Sequence, residues 1–91
     1  MDIIYDPKKN AANIKKHDVD FEDAQAVLLD PFALTWEDEG AEDEQRFLQL
    51  GLDAVGRILV VVFTYRDEEI RLIAAWKAND KQRKRYEAGR L

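Results

Sequence analysis

A chain of 91 residues, 46% of them hydrophobic and 36% charged, suits one folded domain with a single modest core and has no room for two. It contains no cysteine, which excludes a disulfide framework and thiolate chemistry. No apolar run approaches a membrane span and the N-terminus lacks a signal-peptide pattern, so a cytoplasmic chain without a membrane partner is expected. The net charge of −5 is unevenly spread, with eleven Asp or Glu and no Lys or Arg in residues 18–45 but nine bases against five acids in residues 57–91. That pattern points to a polyanion or charged protein partner, or simply to a solvated surface.

Residues 1–5, with Ile3, Ile4 and Tyr5, suit a first strand at a sheet edge. Asp6-Pro7 starts a helix: the carboxylate caps free N–H groups, and proline is pre-set for the first helical position. This helix is expected to reach about Lys16, with Ala11 and Ile14 toward the core. Lys15, Lys16 and His17 fall in or near its last turn, where positive charge suits the dipole. Asp20 starts a second short helix with Glu22 and Asp23 in its first turn and Val19 stapled to Ala24. Phe21, Ala24, Val27 and Leu28 form its apolar stripe, and Asp30-Pro31 ends it.

Residues 32–36 alternate and predict a strand with Phe32, Leu34 and Trp36 inward. Residues 37–44, seven of eight being acidic or glycine, predict a loop. Residues 46–51 predict a strand with Leu48 and Leu50 on one face and Phe47 and Gln49 on the other, and residues 53–56 a turn. Ile58-Leu59-Val60-Val61-Val62-Phe63 is an unbroken apolar run. It predicts a central strand buried on both faces, since at an edge it would expose a large apolar patch.

Residues 70–77 alternate instead, with Ile70, Leu72, Ala74 and Trp76 on one face and Arg71, Ile73, Ala75 and Lys77 on the other. They predict a half-exposed partner strand in a hairpin. Asp67-Glu68-Glu69 lacks a two-residue turn signal, so a longer connection is expected. Asn79 with Gln82 resembles a capping box and Gly89 a C-terminal cap. Tyr86 is the one sizeable apolar anchor of that last helix, which should therefore dock weakly and fray. The order β-α-α-β-β-β-β-α is an α+β domain, with a mostly antiparallel sheet, two N-terminal helices and one C-terminal helix, all packed on one face.

A succession of residues carries a family resemblance. In order they are Tyr5-Asp6-Pro7-Lys8, Asn13, Lys16-His17, Val19, Phe21, Ala24, Asp30-Pro31, Glu44, Arg46 and Gly51. Val60-Val61-Val62, Thr64, Arg66, Arg71-Leu72-Ile73, Ala75, Lys77-Ala78 and Tyr86-Glu87 follow. The set resembles the BrnT family, the toxin half of bacterial BrnT–BrnA type II toxin–antitoxin systems. The resemblance implies a RelE-like ribonuclease fold and a metal-independent endoribonuclease that needs no cofactor and inhibits translation by cleaving RNA. It also implies neutralisation by a BrnA-like antitoxin, with DNA met only through that antitoxin, and a homodimer is conceivable within the complex. Relatives usually end the final strand in Arg-Ile-Ile-Ser-Ala-Arg, so Ala74 and Trp76 here replace a Ser and an Arg. Asp18 stands for a usual Gly, and Asp67-Glu68-Glu69 for a Gly-containing turn. If that Arg contacts phosphate in relatives, activity here is either weakened or carried by Arg71 and Lys77. The alternative is a catalytically weakened or inactive member that binds antitoxin and regulates the operon.

Metal-free RNA cleavage needs a base for the ribose 2′-OH, cations for the phosphorane charge and an acid for the leaving oxygen. His17 is the sole histidine, the residue type that ordinarily titrates near neutrality. It reads either as general acid or base, or as a helix-end residue bonded to a carbonyl. Arg46, Arg66, Arg71 and Lys77 suit phosphate oxygens, although each alone also suits an ion pair with Glu44, Asp67, Glu68 or Glu69. If the five form a catalytic site, at least three must converge on one concave surface. Glu44 could orient Arg46 or act as base, but in so acidic a loop it reads as a solvated carboxylate; Tyr86 reads as a pin for the last helix rather than a stacking platform for a base. Trp36 and Trp76 read as core or partner-interface residues, with Trp76 the expected anchor for the antitoxin.

Overall fold

The computed structural model of the chain describes residues 1–90. Strands β1 (Asp2–Ile4), β2 (Leu34–Asp38), β3 (Arg46–Leu52), β4 (Ile58–Arg66) and β5 (Glu69–Lys77) form one sheet in the order β1-β5-β4-β3-β2. Only the β1–β5 pair is parallel. Helix α1 (Pro7–His17) and the single turn α2 (Phe21–Ala24), continued by a 3₁₀ segment Gln25–Leu29, lie between β1 and β2, and α3 (Asp80–Ala88) follows β5.

The central strand divides the core in two, as its unbroken apolar run requires. Leu59, Val61 and Phe63 pack with Val19, Phe21, Ala24 and Val27 on the α2 side. Val60 packs with Leu50 and Tyr86 on the other side, flanked by Leu34, Leu48, Leu52, Ile58 and Trp76. Helices therefore cover both faces, not one, because a strand buried twice needs a cover on each side. Nor is α3 weakly docked. Tyr86 is 1% exposed, its hydroxyl donates to the Asp30 carboxylate, and the Arg90 guanidinium lies 5.7 Å from its ring centroid. Burial and the hydrogen bond to Asp30 push the Tyr86 phenol up to about 12. Burial alone would raise the Asp30 carboxyl, but bonds from Tyr86, Leu52 N–H and Phe32 N–H, with the Arg90 charge nearby, hold it below the usual range.

The simple alternation expected of residues 70–77 fails at a bulge. Val62 pairs with Ala74 but Phe63 pairs with Leu72, so Ile73 is the extra residue. One inserted residue reverses the side-chain parity beyond it. Leu72 and Ala75 consequently share the α2 face, whereas Trp76 packs on the α3 face.

Helix α1 also departs from expectation. Ala11 is exposed and Ile14 is 39% exposed; the buried residue is Asn13. β1 pairs only with residues 69–71, leaving the outer edge of β5 open beyond them, and α1 packs along β5. Asn13 Nδ2 donates to the Ala75 carbonyl at 2.9 Å and to the Val19 carbonyl at 2.9 Å, and Oδ1 accepts from the Ala75 N–H at 3.1 Å. An open strand edge offers backbone polar groups rather than an apolar face, so an amide is the side chain that fits.

Three smaller corrections share one origin, local backbone capping. The second strand begins at Leu34 and runs to Asp38, so the acidic loop is shorter than its composition suggests. Asp30 caps the Phe32 N–H at 2.9 Å, and Phe32 stays 48% exposed with Trp36 at 37%, leaving Leu34 as the inward residue. The β4–β5 connection is only Asp67-Glu68, since Arg66 pairs with Glu69. Asp67 takes φ of 57°, a left-handed conformation that Asp tolerates better than most residues.

Candidate functional site: an arginine row on the sheet

Sheet register places the arginines. Thr64 pairs with Arg71, and the Phe47–Phe63 pair puts Arg46 opposite Thr64 one step further on. Opposed residues project from the same face, so Arg46, Thr64 and Arg71 form a row across β3, β4 and β5. Phe47, Phe63 and Leu72 belong to the α2 side, which puts this row on the α3 side. Tyr86 of α3 packs on the Leu50–Val60 part of that face. Beyond lies a row of Trp36, Leu48, Val62 and Ala74, then the arginine row, then Arg66 opposite Glu69.

The two row arginines hold donors in reserve. Nε of Arg46 and Nε of Arg71 are both buried, and neither has a hydrogen-bond partner among the described residues. Arg46 Nε lies 3.6 Å from the Glu44 carboxylate, close enough for charge attraction but too long for a hydrogen bond. A buried donor left unmade costs about 1–3 kcal/mol. Thr64, 2% exposed, donates its hydroxyl to the Gln45 carbonyl at 2.6 Å and so braces the residue just before Arg46.

The remaining candidates sit elsewhere. His17, at the C-terminal end of α1, has its ring 5.9 Å from that of Trp76. With Lys16, Trp76 and Lys77 it lines an open recess of about 610 Å³. Lys77 Nζ is 3.6 Å from the Asp18 carboxylate. Lys77 is six residues along β5 from Arg71, roughly 20 Å at strand rise. The structure thus brings Arg46, Arg66 and Arg71 to one face and sets His17 and Lys77 together at the far end of β5. Carboxylates, not the imidazole, stand beside the arginines: Asp38 opposite Arg46, Glu44 near Arg46 and Glu69 opposite Arg66. Sequence reasoning missed Thr64 as a member of this row, although a polar residue closing an apolar run was the signal available. Among the described residues, no three His, Cys, Asp or Glu side chains gather to hold a metal ion.

A family model described as "Ribonuclease toxin, BrnT, of type II toxin-antitoxin system" matches residues 5–82. The chain belongs to the BrnT toxin family. Among solved structures it is similar to the ribonuclease toxin BrnT of Brucella abortus, at 26% identity and a TM-score of 0.67. That match covers 88% of this chain and 99% of the other. No curated protein matches. Within this BrnT chain the bulge sets which face the end of the last strand presents. Ala74 and Trp76 both project on the face that carries Arg71, and Ala74 occupies the row next to it.

Proposed function

We propose that this BrnT toxin is an endoribonuclease that cleaves RNA without a metal ion, inhibits translation in the cytoplasm and is neutralised by a BrnA-like antitoxin. The observation that carries the reading is the pair of arginines Arg46 and Arg71, which flank Thr64 on one sheet face of a BrnT chain and whose Nε donors have no partner among the described residues. In such a reaction the 2′-oxygen attacks the adjacent phosphorus and the 5′-oxygen leaves. Negative charge grows on the non-bridging oxygens, and guanidinium groups fixed beforehand at that position stabilise it without reorganisation. Arg46 and Arg71 take this role, and Arg66, exposed at the hairpin end, draws the strand toward them. Asp38, Glu44 or Glu69 accepts the 2′-proton, since His17 stands at the other end of β5, and water supplies the proton that the departing 5′-oxygen takes up. DNA is contacted through the antitoxin alone.

A second reading is favoured by a specific observation. By the resemblance, Ala74 and Trp76 stand on the arginine face where a Ser and an Arg are usual, one hydroxyl and one cation fewer, and Trp76 packs in part against the Leu50–Val60–Tyr86 cluster. On that reading the chain retains antitoxin binding and operon regulation with catalysis weakened or lost. Inducible expression with and without the neighbouring gene product separates the two. Growth arrest relieved by the neighbour and abolished by Arg71→Ala supports the ribonuclease. Normal growth, intact RNA and a stable complex with the neighbour support the module.

A further inference from the structure

The recess at the far end of β5 has a makeup that the arginine row does not explain. Lys16, His17, Trp76 and Lys77 line it, and its volume lies within the roughly 300–1,000 Å³ of small-ligand sites. Lys16 and His17 also line a second recess along the α1–β5 seam, together with Lys9, Ile73 and Ala74 among others. Through Ala74, that seam reaches the row beside Arg71. Lys9 and Lys16 form no salt bridge among the described residues, while Lys77 has only the long 3.6 Å contact to Asp18. Cations spaced along a groove with aromatic faces between them is the arrangement that binds single-stranded nucleic acid, cations taking phosphates and rings taking bases.

We infer that this recess is a substrate subsite for the RNA strand beyond the scissile phosphate, with one base stacked against the Trp76 and His17 rings and its flanking phosphates on Lys16 and Lys77. The inference rests on the ribonuclease reading and adds to it a place for the flanking nucleotide. It also gives Trp76 a positive use: an indole stacks on a base, a contact that tolerates any base but favours unpaired RNA. Among the described residues, Asp18, exposed beside Lys77, is the one carboxylate within ion-pairing distance of the site.

The test uses a short 2′-O-methyl RNA oligonucleotide, which binds but has no free 2′-OH to attack. The protein is the full chain carrying Trp36→Phe, so that Trp76 is its only indole. Binding is followed in parallel by oligonucleotide anisotropy and by Trp76 fluorescence. The expected result is quenching of Trp76 over the same concentration range as the anisotropy change. Lys16→Ala and Lys77→Ala should each weaken affinity several-fold at unchanged melting temperature. Each should also lower the salt slope by about 0.7, the value for one lost single-strand phosphate contact. Trp76→Phe, which keeps a ring in place, should bind within a few-fold of the parent. Anisotropy that reports binding while Trp76 stays silent and both lysine variants bind normally overturns the subsite and leaves the ribonuclease reading standing. Absence of any RNA binding overturns both. Quenching by a purified antitoxin but not by RNA assigns the recess to the protein partner and overturns the subsite as well.

Discussion

Asn13→Ala tests how α1 is held to the sheet. The Asn13 side chain makes three hydrogen bonds, two to Ala75 and one to the Val19 carbonyl. Ala75 and Val19 are both 0% exposed, so water does not replace the lost amide without opening the seam. Each stranded polar group costs about 1–3 kcal/mol. Partial relaxation, and the sharing of one Nδ2 between two carbonyls, brings the expected loss to about 3–5 kcal/mol. Against a typical domain stability of about 5–15 kcal/mol that is a large share. Urea unfolding followed by far-UV circular dichroism should move the midpoint downward with little change in slope, and amide exchange at Ala75 should accelerate. Asn13→Asp keeps an acceptor for the Ala75 N–H but turns carboxylate oxygen toward two carbonyls, so it too should destabilise. A loss under about 1 kcal/mol for Asn13→Ala, the worth of one ordinary hydrogen bond, would refute the edge-clamp account.

Other outcomes follow from the same geometry. With the Tyr86 phenol raised from 10.0 to about 12, its contribution is fully present below pH about 10. It is lost as pH rises toward 12, because the unfolded chain ionises first; the total is about 3 kcal/mol. Alkaline unfolding should show that fall, and Tyr86→Phe should remove it from the pH profile. The Asp30 carboxyl, held low, acts in the opposite direction: its contribution stands above the ordinary Asp range and disappears as acid protonates the folded group. Asp53, 5% exposed, accepts from the N–H groups of Val55 and Arg57 and from Arg57 Nε. Asp53→Ala should therefore cost about 2–4 kcal/mol in chemical denaturation; a neutral result would mean the turn holds without it. Trp76→Ala should lower the melting temperature, at about 2 kcal/mol, less than the ~3–5 of a fully buried aromatic. An unchanged melting temperature would contradict its packing against Leu50, Val60 and Tyr86.

What was legible in the sequence was pattern with one dominant cause. The run from Ile58 to Phe63 placed the central strand because burial on both faces is the only comfortable outcome for six apolar residues in extended form. Asp6-Pro7 and Asn79 with Gln82 placed helix starts because capping acts within four residues; the structure reproduces both caps. The failures came where distant contacts decide. A bulge at Ile73 reassigns every later side chain of β5, yet its sequence is ordinary strand. Asn13 stands among the residues that carry the family resemblance, but its role depends on a backbone 62 residues away. The candidate site divided for the same reason. Arg46, Arg66 and Arg71 share a face through register alone, while His17 follows the end of a helix that clamps the other end of β5.

The most direct test of the central claim is cleavage of single-stranded RNA by the purified chain and its Arg71→Ala variant, with products resolved on a gel and folding checked by thermal melting. A preorganised charge-stabilising donor contributes about 10²–10³-fold in rate. The account therefore predicts specific cleavage by the parent chain in the presence of chelator, and a loss of that order in Arg71→Ala with the melting temperature preserved. Cleavage undiminished in a folded Arg71→Ala protein, or RNA left intact by the parent chain, would contradict it.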